Sequence, residues 1–196
     1  MKDQLSTKEK ILIESMKLFS IKGYEAVSVR MIAAEVGVRD SALYKHFKGK
    51  QEIFDTIVEQ SKQRFYQQYE EVLFKKKESF DFVEMCLAMF HFQTQDEWIV
   101  RFRQMLIIEQ FQNNDMAQTY QELFVDMPVE NQKKIFEELI RKGIMKEKDP
   151  KVLAMELYAP FFMYHTIGGN QEEQEECFRK HAQYFMENYF INESKN

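Results

Sequence analysis

Residues 28–48, SVRMIAAEVGVRDSALYKHFK, constrain the fold of this chain more than any other stretch. Val29, Ile32, Ala33 and Val36 recur at i, i+3, i+4 and i+7, the apolar stripe of a short helix, and Ser28 stands where an N-cap side chain accepts a backbone N–H. Gly37 breaks that helix and is free to take the positive φ of a tight turn. A second short pattern follows, with Leu43 and Phe47 on one face and Tyr44, Lys45 and His46 on the other. Val38 and Leu43 plug the angle between the two helices, and the small Ala33 lets them cross closely. In such a unit the second helix enters the DNA major groove, while the first crosses the backbone and offers its N-terminal N–H groups to phosphate. The apolar spacing alone also fits an ordinary pair of amphipathic helices. The surrounding sequence decides between the two.

Ser6-Thr7-Lys8-Glu9 has capping-box spacing, and Ile11, Leu12, Ser15, Leu18 and Phe19 follow at helical intervals up to Gly23. This predicts a first helix that completes a three-helix core. From Lys8 to Phe54 the chain resembles the DNA-binding domain of the TetR family of transcriptional regulators. The match lies in Ile11, Leu12, Leu18, Phe19, Lys22-Gly23-Tyr24, Ile32-Ala33, Val36-Gly37-Val38, Ala42-Leu43-Tyr44, His46-Phe47-Lys48 and Lys50. The sequence departs from the family where members often carry Ser or Thr and it has Arg39, and where they carry Lys and Gly and it has Asp40-Ser41. Arg39 cannot cap a helix, so the cap falls to Asp40 or a nearby backbone group, with the helix starting a residue later. The resemblance implies a sequence-specific regulator, a repressor in the family's commonest role. Arg39, Asp40, Ser41, Ala42, Lys45 and His46 would then face base edges or flanking phosphates, while Ser28, Arg30, Tyr44, Lys48 and Lys50 hold the backbone.

The net charge of −5 conceals an asymmetry that fits this reading. Residues 1 to 50 hold ten Lys and Arg against six Asp and Glu, a surplus of +4, so the remainder carries −9. The basic surface lies at the end that carries the motif.

The pattern beyond it is helical throughout, which predicts an all-α chain of two domains. Residues 1–49 form the helix-turn-helix domain, and residues 50–196 a larger helical domain for effector binding and dimerisation. A long helix begins at Lys50, with Phe54, Ile57, Val58 and Phe65 on one face, and stops at Lys75-Lys76-Lys77. Ser79 or Asp81 starts another, and a run from Trp98 to Phe111 follows. Met116 to Leu139 is helical, kinked or split at Pro128. Asp149-Pro150 is a start signal for a helix that closes at Gly168-Gly169-Asn170, and the acids of residues 172–176 suit the positive end of the last helix.

No apolar run approaches the ~18 residues of a membrane span, and the N-terminus lacks an apolar signal core, which predicts a cytoplasmic protein with no membrane partner. No nucleophile beside a base, carboxylate pair in an apolar setting or glycine-rich phosphate loop is present as a motif, so catalysis and cofactors are not expected. Cys177 and His181 stand at ligand spacing without a third or fourth ligand, and no metal site is expected. His91 and His165, isolated among aromatics, read as hydrogen-bonded core or pocket residues.

Two further expectations concern the body. Of 28 aromatic residues 24 lie beyond residue 50, with nine of twelve Met. Such side chains fill a core or line an adaptable pocket, and the resemblance favours a pocket for an apolar small-molecule effector. Met85, Met89, Phe90, Trp98, Phe102, Met105, Glu109, Phe124, Phe162 and His165 are its candidate lining. Glu109, amid apolar residues, needs an internal partner such as Arg101 or Arg103, or else a cationic ligand. One short recognition helix reads few base pairs, so a homodimer on palindromic double-stranded DNA is expected. Leu153, Leu157, Tyr158, Phe161, Phe178, Tyr184 and Phe185 are the candidate interface, a role in the chain's own core being the alternative. The competing function is an all-helical sensor or scaffold acting through protein contacts.

Overall fold

The computed structural model describes residues 5–74, 81–166 and 169–191; the expected helix stops at Lys75-Lys76-Lys77 and Gly168, and the start at Ser79, lie outside these. Among the described residues all regular structure is helical except one isolated antiparallel bridge between Met145 and Phe190.

Helix α1 (Thr7–Lys22) opens on the capping box, with Ser6 Oγ accepting the Glu9 N–H at 3.2 Å and the Glu9 carboxylate accepting the Ser6 N–H at 2.8 Å. It ends at Gly23, whose N–H donates to the Phe19 carbonyl at 3.0 Å. Helices α2 (Val29–Val36) and α3 (Asp40–Leu43) follow, then the long α4 (Lys50–Phe74). After α5 (Phe82–Thr94), capped by Asp81, come α6 (Glu97–Glu109) and α7 (Asn114–Gln121). A π-helical turn, Glu122–Asp126, leads into α8 (Met127–Arg141). The kink or split expected at Pro128 takes the form of the π turn just before it: Asp126 and Met127 stay in right-handed helical conformation, and the backbone runs on through Pro128 without a break. Helix α9 (Pro150–Thr166) starts at the predicted Asp-Pro step, Asp149 Oδ1 accepting the Lys151 N–H at 2.8 Å. Helix α10 (Gln171–Tyr189) is capped by Asn170.

The chain divides into two compact units, Met1–Tyr69 with Glu97–Tyr120, and Glu70–Asp96 with Gln121–Asn196. The division departs from the expected boundary after residue 49. The first unit takes in most of α4 together with α6 and α7. Helix α4 buries Ile53, Phe54, Ile57 and Phe65 there, and α6 buries Ile99, Phe102, Met105 and Leu106. A head of about fifty residues buries too little surface on its own, and these side chains enlarge its core.

The second unit has an aromatic core. Phe90 stacks on Phe178 with centroids 4.8 Å apart, and Phe136 stacks on Phe185 at 5.4 Å. At roughly 1.5–3 kcal/mol per buried side chain, this core holds α5, α8, α9 and α10 together.

Candidate nucleic-acid interface

Ser28 Oγ accepts the Met31 N–H at 3.2 Å and so fixes where α2 begins. Gly37 ends it in the left-handed conformation, φ 78° and ψ 30°, and the Val38 N–H returns to the Ala33 carbonyl at 2.9 Å. Ile32, Ala33, Leu43 and Phe47 are buried, so the two helices share one apolar seam. Arg39 is the residue before α3, in extended conformation and without a side-chain cap. Asp40 is the first helical residue, so of the two expected replacements for the missing cap, Asp40 or a nearby backbone group, it is not Asp40 that stands at the cap position. Helical bonding continues past Leu43, the Phe47 N–H donating to the Leu43 carbonyl at 3.1 Å.

That geometry leaves one polar face. Arg39, Asp40, Ser41, Tyr44, Lys45, His46 and Lys48 are exposed, as is Arg30 on α2, and Ala42 is half-buried among them. Two of the expected backbone contacts already serve the protein. Ser28 caps α2, and Lys50 Nζ donates to the Tyr24 carbonyl at 2.7 Å while lying 4.0 Å from the Tyr24 ring centroid. Tyr24, which sequence reasoning gave no role, is the hub of the head. Its hydroxyl donates to Gln51 Oε1 at 2.7 Å, and its ring packs edge-on against Phe54 at 4.9 Å. Burial raises its phenol pKa, with the carboxylates of Glu25, Asp55 and Glu109 adding to the effect. Its place in the Lys22-Gly23-Tyr24 run, just past a helix end, was the available signal.

The expected effector residues are divided between the two units. Trp98, Phe102, Met105 and Glu109 belong to the first unit. Trp98 Nε1 donates to Ser61 Oγ at 2.8 Å beneath the Arg64 guanidinium, and Phe102 and Met105 are fully buried. Glu109 Oε1 accepts the Tyr24 backbone N–H at 2.6 Å, while Arg101 turns to Glu97. In the second unit Phe90 and Phe124 are core, Met85 and Met89 pack against it, and His165 lies edge-on to Phe124 at 5.8 Å. Of the ten, Phe162 alone lines the cavity found in that unit. The cavity has a volume of about 310 Å³ and lies between the π-helical turn, α8 and α9. Its walls are mainly Val125, Val129, Met155 and Tyr158, with Asp126, Glu130 and Lys151 also lining it. The Tyr158 hydroxyl lies 2.9 Å from the Phe124 carbonyl of the π turn and 2.8 Å from Gln93 Oε1, tying that wall to α5.

The expected interface also needs correction. Leu153, Leu157, Tyr158, Phe161, Phe178 and Phe185 are buried in their own unit, and of the seven candidates only Tyr184 is exposed. Helix α9 is apolar on both sides, and its outer side presents Val152, Met155, Phe162 and Met163. Cys177 and His181 point to different partners, Tyr164 and the Leu157 carbonyl. Burial and then the Cys177 contact push the Tyr164 phenol up to about 12. His91 hydrogen-bonds Glu175 at 2.8 Å.

Residues 11–57 match the sequence model of the family described as bacterial regulatory proteins, tetR family. The HTH-type transcriptional regulator SAB2452 of Staphylococcus aureus (strain bovine RF122 / ET3-1) is 30% identical over 71 residues, 36% of this chain and 38% of that protein. The match thus spans well under half of that regulator's length. The nucleoid occlusion factor SlmA of Sodalis glossinidius (strain morsitans) is 24% identical over 143 residues, 72% of each. A solved complex of SmeT with triclosan superposes with a TM-score of 0.66 at 22% identity, over 96% of this chain and 94% of that one. SmeT is described as the repressor of the Stenotrophomonas maltophilia multidrug efflux pump SmeDEF. This likeness shows a common fold that extends through the second unit.

Proposed function

We propose that this chain, whose residues 11–57 match the sequence model of the tetR family of bacterial regulatory proteins, represses transcription in the cytoplasm by binding a palindromic operator as a dimer and releasing it when an effector binds. The observation that carries the DNA-binding part is the single exposed polar face around α3, with Arg39, Lys45, His46 and Lys48 on it and a buried seam behind it. Arg39, Lys45 and His46 reach base edges or the phosphates beside them; Arg30, Tyr44 and Lys48 hold the backbone. Two such heads about one DNA turn apart, roughly 34 Å, read enough base pairs to be selective.

The dimer forms through the outer side of α9, where Val152, Met155 and Met163 are exposed, joined by Tyr184 of α10. The cavity of about 310 Å³ is the effector site, at the small end of the sizes that hold compact organic ligands. Its walls suit a mainly apolar molecule. The triclosan held by SmeT, a protein of the same fold, supports a small-molecule effector here. An effector that binds more tightly to a state with displaced heads weakens DNA binding by that difference in affinity.

Selection from a pool of random duplexes tests the reading. The full chain should enrich an inverted repeat, and a library of lipophilic compounds should contain members that lower affinity for the enriched duplex. Enrichment of nothing would favour the scaffold reading instead.

A further inference from the structure

We infer that Glu109 is a positioning residue for DNA binding: from the end of α6 it holds the turn between α1 and α2, and through that turn it sets the two helices that face DNA. The inference rests on the DNA-binding reading above.

The chain leaves α1 through Gly23, at φ 77° and ψ 164°, which turns the next N–H, that of Tyr24, away from its own helix. Glu109 Oε1 receives that N–H at 2.6 Å, and Lys50 of α4 takes the Tyr24 carbonyl at 2.7 Å. Both backbone polar groups of one turn residue are thus held by charged side chains, the stronger class of hydrogen bond. The approach is close. A Cβ at position 23 would lie 3.2 Å from Ile108 Cγ2 and 3.3 Å from Glu109 Oε1.

From Tyr24 the path to α2 is short. Its carbonyl also accepts the Val27 N–H at 3.3 Å, Val27 is buried, and the next residue is Ser28, the cap of α2. Moving Tyr24 therefore moves the start of α2, and the seam of Ile32, Ala33 and Leu43 carries α3 with it.

A carboxylate is an expensive choice for this position. Glu109 is buried, and it is the last residue of α6, where the helix dipole disfavours negative charge. A glutamine would fill the same space and accept the same hydrogen bond without either cost. The charge is the part that tightens the hold on Tyr24, and a tighter hold matters where the orientation of the head is what is being controlled.

The test uses the full chain and a duplex enriched by the wild type. Glu109→Ala should lower affinity by roughly ten- to a hundred-fold, the effect of one lost charge-assisted hydrogen bond, with the salt dependence unchanged because no phosphate contact is removed. Glu109→Gln should fall between it and the wild type. Exchange of the Tyr24 amide should be slow in the wild type, slower still on DNA, and fast in Glu109→Ala. Equal affinity in all three proteins would overturn the inference. So would wild-type Tyr24 exchange at the rate of a solvent-exposed amide, a reading that needs no variant. Failure of the wild type to enrich any duplex defeats the DNA-binding reading, and the inference falls with it; the amide readings then report only whether the hydrogen bond forms.

Discussion

Gly23 and Gly37 both take positive φ, at 77° and 78°, yet their demands differ. Gly37 is left-handed with open space around its Cα, so asparagine, which tolerates that conformation, should be accepted at little cost. Gly23, at ψ 164°, lies in a region essentially reserved for glycine, with Ile108 and Glu109 against it. Urea unfolding should therefore show Gly37→Asn within about 0.5 kcal/mol of the wild type and Gly23→Asn destabilised by about 2 kcal/mol or more. Similar losses at the two sites would mean that backbone conformation and the α6 contact contribute nothing special at residue 23. The sequence marks both glycines as helix ends, but it does not distinguish them. The residues that press on Gly23 lie some 85 positions away, beyond any local pattern.

At the scale of elements, starts and stops were the legible part, because capping is local chemistry. Ser6 with Glu9, Ser28, and Asp149 before Pro150 each sit at the head of a helix and accept its orphan N–H groups, whereas Asn170, expected to close α9, caps α10 instead. Arg39 broke that rule, and α3 begins at Asp40 without a side-chain cap. Which apolar face meets which partner was not legible. Helix α9 carries apolar residues nearly all round, so periodicity does not separate Leu153 and Leu157, buried in the core, from Met155 and Met163, exposed outside it. The π-helical turn before α8 was signalled only by Pro128, which marks a disturbance of the helix and not its kind.

Packing of α10 on α5 adds a pH dependence. Glu175 hydrogen-bonds His91, and this contact first, then the nearby charges of His91 and Arg179, holds its carboxyl below the ordinary 4.5. A depressed carboxylate contributes stability that is present above its unfolded value and is lost as pH falls through the folded one. Glu175→Gln should cost less than about 1 kcal/mol at neutral pH, since the pair is partly exposed, and the difference from wild type should vanish in acid. A difference that persists once the carboxylate is protonated would contradict this. Unfolding curves at pH 7 and at steps down through the acid range decide it.

At the scale of the whole molecule, the proposed switch needs three features: the polar face around α3, the exposed apolar residues of α9 and the cavity beside that helix. Met163→Glu places a charge in the proposed interface while leaving the cavity lining untouched. Equilibrium sedimentation should show wild-type dimer at micromolar concentration and a shift to monomer in this variant, with unchanged helicity; a wild-type monomer that stays monomeric on DNA would remove the dimer from the account.

The central claim is that the face around α3 binds DNA, and the salt dependence of affinity for the enriched duplex tests it most directly. The wild type should lose affinity steeply with salt. Lys48→Ala should flatten the slope by about one phosphate contact on every sequence, and Lys45→Ala should also change which sequences are preferred. Wild-type binding that is insensitive to salt, or a Lys48→Ala slope equal to that of the wild type, would contradict the account.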